Sequence, residues 1–381
     1  MISRNSIADA YPTKRLEDVV EFLDSMRRPV TESARRTGQY PYYGANGLQG
    51  SIDDFIFDEP LVLLAEDGGH FGTPDRGIAY CVSGKTWINN HAHVLRPKAD
   101  IDLRFLCRVL ENYDVTPWVT GTTRGKLTQA GASQIVVPVP PLSEQRWIAE
   151  ILDQADALRA KRRAALAQLD TLTQSIFLDM FGDPITNKKG FPVAQMGDVC
   201  DVRDGTHDSP EYVSDGGYPL VTSKNVTGGF VDLTDANYIS EADYVQINKR
   251  SKVDRGDIIL PMIGTIGSPV LVDHEPRYAI KNVALVKFTA ASPSAVFVRH
   301  LLSCHYFDHV VSQKNRGGTQ KFVSLGDLRG FPLPLPPKEQ QQQFTRFVQA
   351  ADKLKATNRG SLAELDTLFA SLQHRAFRGE L

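Results

Sequence analysis

A proline-rich hinge running straight into a helical pattern occurs twice in this chain. "PPLSEQRWIAEILDQADAL" occupies 140–158 and "PPKEQQQQFTRFVQAADKL" occupies 336–354, 196 residues later. The same shift lays "AQLDTL" (167–172) on "AELDTL" (363–368), Ser175 on Ser371 and Phe181 on Phe377. Upstream, "RLEDVVEF" matches "QMGDVCDV" at a shift of 180, and "YPYYGANGLQG" (40–50) matches "YPLVTSKNVTG" (218–228) at 178. "WINNHAHVL" (87–95) matches "YAIKNVALV" (278–286) at about 192. The drift in the shift places insertions in loops. A period this long is no solenoid; it is a duplicated unit of domain plus helix.

Each copy has two physical parts. The first holds short β-rich runs, "EPLVLLAE", "HAHVLRP", "GDIILPMIG" and "NVALVKF", bounded by Gly, Asp and Pro. The second is helical. In 143–181 the apolar stripe is Ile148, Ile151, Leu152, Ala155, Leu158, Ala165, Leu166, Leu169, Leu172, Ile176 and Met180, interrupted by Arg162. In 338–377 it is Phe344, Phe347, Ala351, Leu354, Leu362, Leu365, Leu368 and Leu372, with Asn358 where the first copy has Arg162. Each helix spans roughly 40 residues and about 60 Å. A stripe that long needs cover, and the other copy's helix is the obvious partner. A whole globular part connects the two helices, so antiparallel pairing suits the topology. The rival packing lays each helix on its own head. The stiff extended hinges, which lead the chain out of a head before the helix begins, speak against it.

The expected fold class is therefore α+β: two globular α/β heads held apart by two long antiparallel, coiled-coil-like helices, with an internal pseudo-twofold repeat. The expected boundaries are 1–142 for head one, 143–183 for its helix, 184–337 for head two and 338–381 for the second helix. Such a chain would act as a caliper.

Composition excludes other classes. The 381 residues are 41% hydrophobic and 23% charged, which fits a folded protein. No stretch approaches eighteen consecutive apolar residues, so no membrane span is expected. The start, "MISRNSIADAYPTKRLEDVV", lacks the apolar core of a signal peptide. Cys81, Cys107, Cys200 and Cys304 lie far apart in sequence without a CxxC pair. That argues against a disulfide framework or a zinc site and for a cytoplasmic setting. The net charge of −2 does not advertise nucleic-acid binding, which needs only a local basic surface.

Catalytic signatures are absent. "GTTRGKLT" (121–128) has three residues between its glycines where a phosphate loop needs four. His91 and His93 could offer two imidazoles from one strand face, but the second copy has Val283 and Leu285 there. No GxSxG elbow and no Asn-Pro-Pro-aromatic motif occurs. The residues point instead to recognition. Head one ends with "VTGTTRGKLT", carrying Arg124 and Lys126. Head two ends with "QKNRGGTQKFVS", carrying Arg316, Thr319, Gln320 and Lys321. Glycines admit a phosphate closely, and Arg pairs with phosphates or guanine edges. Small polar groups capable of reading base edges add Tyr43 and Asn46 in "YPYYGAN", Thr206 and His207 in "GTHDSP", and Ser223, Lys224 and Asn225 in "TSKNV".

The chain resembles the DNA-specificity subunit of type I restriction-modification enzymes. "DVCDVRDGTHDSPEY", "YPLVTSKNV", "GDIILPMIGTIG", the "GGTQKFVS…FPLPLPPKEQ" join and "VPVPPLSEQRWIAEILDQADAL" with "LDTLTQSIFLDMFGD" carry the resemblance over essentially the whole length. Head one departs from the commonest pattern, with "YPYYGANGLQGSIDDFIFDEPLVLLAEDG" in place of a "GT…IPW…" start. The resemblance implies two target-recognition domains, each binding half of a split site on double-stranded DNA, with the helices setting the spacer. It also implies docking of two methyltransferase subunits that use S-adenosylmethionine, with two restriction subunits using ATP and Mg as optional partners. The chain itself would bind no cofactor and no metal and would not be an enzyme. A bivalent scaffold that pairs two protein targets without DNA is the alternative, and a degenerate hydrolase with a metal at His91 and His93 is a further rival.

Overall fold

The repeat seen in the sequence returns as strand register. The computed structural model describes residues 11–73, 76–121, 123–262, 268–314 and 322–381. The chain divides into two compact units, 1–165 with 358–381, and 166–357. Each unit therefore combines one head with a stretch of both long helices.

In the first unit, β1 (Val20–Phe22), β2 (Leu61–Ala65), β3 (Ala79–Val82) and β4 (Ala92–Pro97) form an antiparallel sheet in the order β1-β4-β2-β3. Every residue of β2, "LVLLA", is buried because both faces are covered. Val62 and Leu64 enter a core with Phe105, Leu106 and Val109 of the helix Leu103–Leu110. Leu61 and Leu63 enter another with Phe57, Val82 and Ile88. A second sheet centres on Tyr40–Gly44, antiparallel to Gly47–Ile52 and parallel to Lys85–Ile88.

The second unit repeats this plan. Its β5 (Asp201–Asp204), β6 (Ile258–Pro261), β7 (Val270–Leu271) and β8 (Val283–Lys287) stand in the order β5-β8-β6-β7. In its second sheet, Tyr218–Val221 pairs parallel with Ala279–Ile280. The parallel partners Tyr43 and Ile88 in the first head correspond to Val221 and Ile280 in the second, at shifts of 178 and 192.

The proline hinges are not free linkers. Val136–Pro138 pairs with the incoming strand Thr13–Arg15, starting at Thr13 with Pro138. Pro332–Pro334 pairs with Val193–Gln195, starting at Val193 with Pro334. Proline lacks an N–H donor and suits such two-stranded edge pairs. Buried glutamines lock the joint beyond each hinge. Gln145 accepts from Asp102 N–H at 2.8 Å and donates to the Pro140 carbonyl at 2.9 Å. Gln341 accepts from Ser294 N–H at 2.8 Å and donates to the Pro336 carbonyl at 2.8 Å.

The long helices run Leu142–Phe181 and Lys338–Ala376, close to the predicted runs. Their ends, not their whole stripes, supply the cores. Ile148, Leu152, Phe369 and Phe377 lie in the first unit's main core, and Phe177, Phe181, Phe344 and Val348 in the second's. Both packings weighed from the sequence thus contribute, each over part of the helix. Phe377 meets Phe105 at 6.0 Å between ring centroids, and Phe181 meets the equivalent Phe297 at 4.9 Å.

In the first unit the helices run antiparallel. Arg159 pairs with Asp366 at 2.6 Å, and Arg162 donates to Asn358 at 3.1 Å. The two positions that interrupt the stripes therefore meet each other. The second unit repeats the ion pair with Lys355 and Asp170 at 2.8 Å. The expectation that pairing covers the whole stripe is corrected in one respect. Leu158 and Leu368 of the first unit and Leu354 and Leu172 of the second are each about half exposed. A helix shields only one seam of its neighbour, and the heads cover only the helix ends.

Candidate nucleic-acid interface

In head two the candidate residues gather at the C-terminal end of the parallel strand pair. Lys281 N–H donates to the Val221 carbonyl at 2.9 Å, and Thr206 N–H to the Ile280 carbonyl at 3.0 Å. The loop starting at Gly205 therefore lies against the end of Ala279–Ile280. Only glycine allows this, since a Cβ at 205 would stand 2.5 Å from the Ile280 carbonyl oxygen. Asp204, nearly buried, pairs with Arg250 and lies 2.7 Å from His207 Nε2. His207 Nδ1 lies 2.9 Å from Asn282 Oδ1. The hydrogen bonds to Asp204 and Asn282 raise the His207 pKa above its ordinary value, so this exposed ring carries charge to higher pH. Lys281 donates to Ser209 at 2.7 Å.

The turn Ser223–Asn225 borders the same end. Lys224 is exposed, while Asn225 is buried. Asn225 Oδ1 accepts from Thr222 N–H and Oγ at 3.0 Å each, and its Nδ2 donates to Asp232 at 3.1 Å. Asn225 thus shapes the turn rather than presenting its amide. Thr206 is half-buried and Ser223 likewise. Arg316, Thr319, Gln320 and Lys321 lie outside the described residues.

Head one presents the equivalent strand end with a different charge arrangement. Asn89 N–H donates to the Tyr43 carbonyl at 3.0 Å, matching Lys281 on Val221. Tyr43 turns its ring inward against Tyr80, at 5.9 Å, and Asn46 donates to the Gly68 carbonyl at 2.9 Å. Gly68 has φ 62°, and a Cβ there would meet the Arg124 guanidinium at 2.7 Å. Arg124 pairs with Asp67 at 2.8 Å and Lys126 with Glu66 at 3.1 Å. Both basic groups stay substantially exposed, but each already holds a carboxylate.

Behind them stands a buried charge network. His93, 1% exposed, places Nδ1 2.6 Å from Asp24 and Nε2 2.8 Å from the Leu127 carbonyl. Both nitrogens face oxygen acceptors. Arg27 pairs with Glu66 at 2.6 Å and with Asp24 at 3.4 Å. Ligand atoms of Asp24, Glu66 and His93 lie within 4.8 Å of one another, the spacing of a metal site. Arg27 and Lys126 already balance these carboxylates. His91 turns instead to Asp67 at 2.7 Å, so the two imidazoles weighed as a metal pair do not converge. The network anchors the strand Lys126–Leu127, which closes the loop that carries Arg124.

The model of the type I restriction modification DNA specificity domain matches residues 9–168 and again 188–367. The chain belongs to the type I restriction-modification DNA specificity family. A putative type I restriction enzyme specificity subunit of Haemophilus influenzae is 30% identical over 349 residues, 90% of this chain and 87% of that protein. The MjaVIII specificity subunit of Methanocaldococcus jannaschii is 21% identical over 98% of this chain and 94% of its own length. The solved S subunit of a type I restriction-modification system from M. genitalium aligns over 97% of both chains with a TM-score of 0.64 at 13% identity, a likeness of fold.

This specificity subunit is a recognition component rather than an enzyme, with two target-recognition domains. The bivalent scaffold without DNA gains no support. Sequence reasoning missed Arg250, Lys281 and Asn282 of head two. Lys281 and Asn282 follow a strand in "AIKNVAL" and could have been found by that placement, whereas Arg250 ends the helix Glu241–Ser251 with no local signal. The glutamines of the two joints lie within the hinge motifs, but nothing local marks Gln341 from its neighbours in "QQQQ".

Proposed function

We propose that the two heads read the two halves of a bipartite site on double-stranded DNA, each with the C-terminal end of its parallel strand pair and the loops around it. The observation that carries this reading is the recurrence of one strand-end geometry, Asn89 on Tyr43 and Lys281 on Val221, beside Arg124 and Lys126 in one head and His207, Lys224 and Arg250 in the other. Arg124, Lys126, Lys281 and Lys224 contact phosphates or base edges, and the masking of Arg124 and Lys126 by carboxylates makes head one less dependent on salt. Arg316, Thr319, Gln320 and Lys321 contact the DNA of head two's half-site. The heads are residues 1–142 and 184–337. The test is exchange of 184–337 for the matching part of a relative, with mapping of modified adenines. One half-site should change and the other persist; a change in both would refute modular reading.

The helices dock two methyltransferase subunits, which supply S-adenosylmethionine chemistry, and restriction subunits that use ATP and Mg join the same complex. Support comes from the half-exposed leucines, because Leu158 and Leu368 are related to Leu354 and Leu172 by the 196-residue shift and offer two alike apolar surfaces. Leu158→Glu with Leu354→Glu should abolish co-purification of the methyltransferase while leaving the chain folded by circular dichroism. Undiminished co-purification would place docking elsewhere. Among the described residues no helix is long and apolar enough to cross a membrane. The cytoplasm, where the DNA is, is the compartment this function needs.

A further inference from the structure

Two cysteines that stand 26 positions apart in the sequence come together in head one. Cys81 lies on the edge strand β3, and Cys107 lies inside the helix Leu103–Leu110. Side chains alternate along a strand, so Cys81 shares the face of Ala79. Ala79 packs in the same core cluster as Cys107. The two thiols line one cavity of 340 Å³ with Arg104, Arg108, Glu111 and Asp153. Cys81 is exposed, whereas Cys107 is buried at 8%.

We infer that Cys81 and Cys107 form an oxidation site, a dithiol that closes to a disulfide with a peroxide as the oxidant. The division of labour follows from their surroundings. The neighbouring Cys107 thiol and then the charge of Arg108 lower the Cys81 pKa, against the opposing effects of burial, Asp153 and Glu111. The neighbouring Cys81 and burial raise that of Cys107. Cys81 is thus the thiolate that attacks and Cys107 the resolving thiol. In the first step the Cys81 sulfur displaces one oxygen of hydrogen peroxide and becomes a sulfenic acid, with release of water. In the second, the Cys107 sulfur attacks the Cys81 sulfur and the sulfenic oxygen leaves as a second water. Two thiols and one peroxide give one disulfide and two waters.

The bond would tie the edge strand of the sheet to the helix that carries Phe105, which packs on Phe377 of the second long helix. Head two has no counterpart, because the position equivalent to Cys107 is Arg299. The site is therefore private to one half of a duplicated molecule.

The test is titration of the full native chain with hydrogen peroxide, followed by alkylation and peptide mapping without reductant. The expected product is a linked pair of Cys81 and Cys107 peptides about 2 Da lighter than the two thiols, restored by dithiothreitol. Cys200 and Cys304 should stay alkylatable after unfolding. The substitution Cys107→Ser should instead leave Cys81 trapped as a sulfenic acid that reacts with dimedone. Cys81→Ser, at an exposed position, should leave Cys107 unoxidised. Over-oxidation of Cys81 to sulfinic acid with Cys107 still free in the unmutated chain would overturn the pairing, and so would unchanged thiols at all four cysteines.

Discussion

Glu111 shows how one burial choice becomes a measurable pH dependence. It sits behind the helix Leu103–Leu110, held by Arg108 at 3.0 Å. Burial pushes its carboxyl up to about 7, with Arg108 pulling in the opposite direction. A carboxyl whose folded pKa exceeds its unfolded value of 4.5 stabilises the fold most below 4.5. That stability is lost as pH rises through about 7. The first unit should therefore unfold at lower temperature at pH 8 than at pH 5. Glu111→Gln, which keeps a hydrogen-bonding partner for Arg108 without a titration, should remove most of that fall, worth on the order of 2–3 kcal/mol. Calorimetric scans of both proteins across this range provide the check, and parallel profiles would show that Glu111 does not govern it. His300 occupies the position of Arg108 in the second unit and behaves oppositely: burial, then Arg299 and Lys355, lower its pKa to about 4. Its neutral ring lies 4.4 Å from Phe177 and 5.3 Å from Phe344, between centroids. The same backbone position thus carries a fixed charge in one head and an aromatic packing group in the other.

At the scale of elements, the joint between head and helix rests on a side chain that is neither apolar nor charged. Gln341, 3% exposed, bridges the first turn of the helix Ala295–Ser303 to the proline hinge through Ser294 N–H and the Pro336 carbonyl. Buried backbone groups without partners cost about 1–3 kcal/mol each. Gln341→Ala strands two of them and should destabilise the second unit by on the order of 2–4 kcal/mol. Amide exchange in Ala295–Ser303 should accelerate accordingly, while the equivalent helix in the first unit stays protected. Equal acceleration in both helices would mean that the joint is not local. The two glutamines also explain the twofold hinge motif. A helix that must leave a head at a set angle needs a fixed first turn, and the hinge carbonyl accepts from the same glutamine that holds the head.

At the scale of the molecule, the duplicated plan makes a ruler argument testable. Stripes that repeat every seven residues stay in phase when one heptad is added to each helix. The pair then lengthens by roughly 10 Å. DNA rises about 3.4 Å per base pair, so the preferred spacer should grow by roughly three base pairs. The groove also turns by roughly 100° over that distance, so outright loss of specific binding fits a ruler as well. Selection of bound sites from a library of variable spacers, with the methyltransferase present, decides the matter. An unchanged spacer at unchanged affinity would show that the helices do not set the distance.

The sequence by itself determined what depends on periodicity and on repetition. Two heads of one topology, two helices and the correspondence between them follow from shifts of 178 to 196, because duplicated segments fold by the same local rules. Hinge positions and most core strands were legible for the same reason: Pro, Gly and apolar runs act within a few residues of themselves. The tertiary structure alone decided which polar groups remain available. Asn225 and Tyr43 look like contact residues in the sequence, yet one supports a turn and the other packs on Tyr80. Arg124 and Lys126 look free and are paired with Asp67 and Glu66, distant in the chain. Cys81 and Cys107 look unrelated and share a cavity. Charge pairing, burial and thiol chemistry depend on distances between residues far apart in sequence, and only the fold sets those distances.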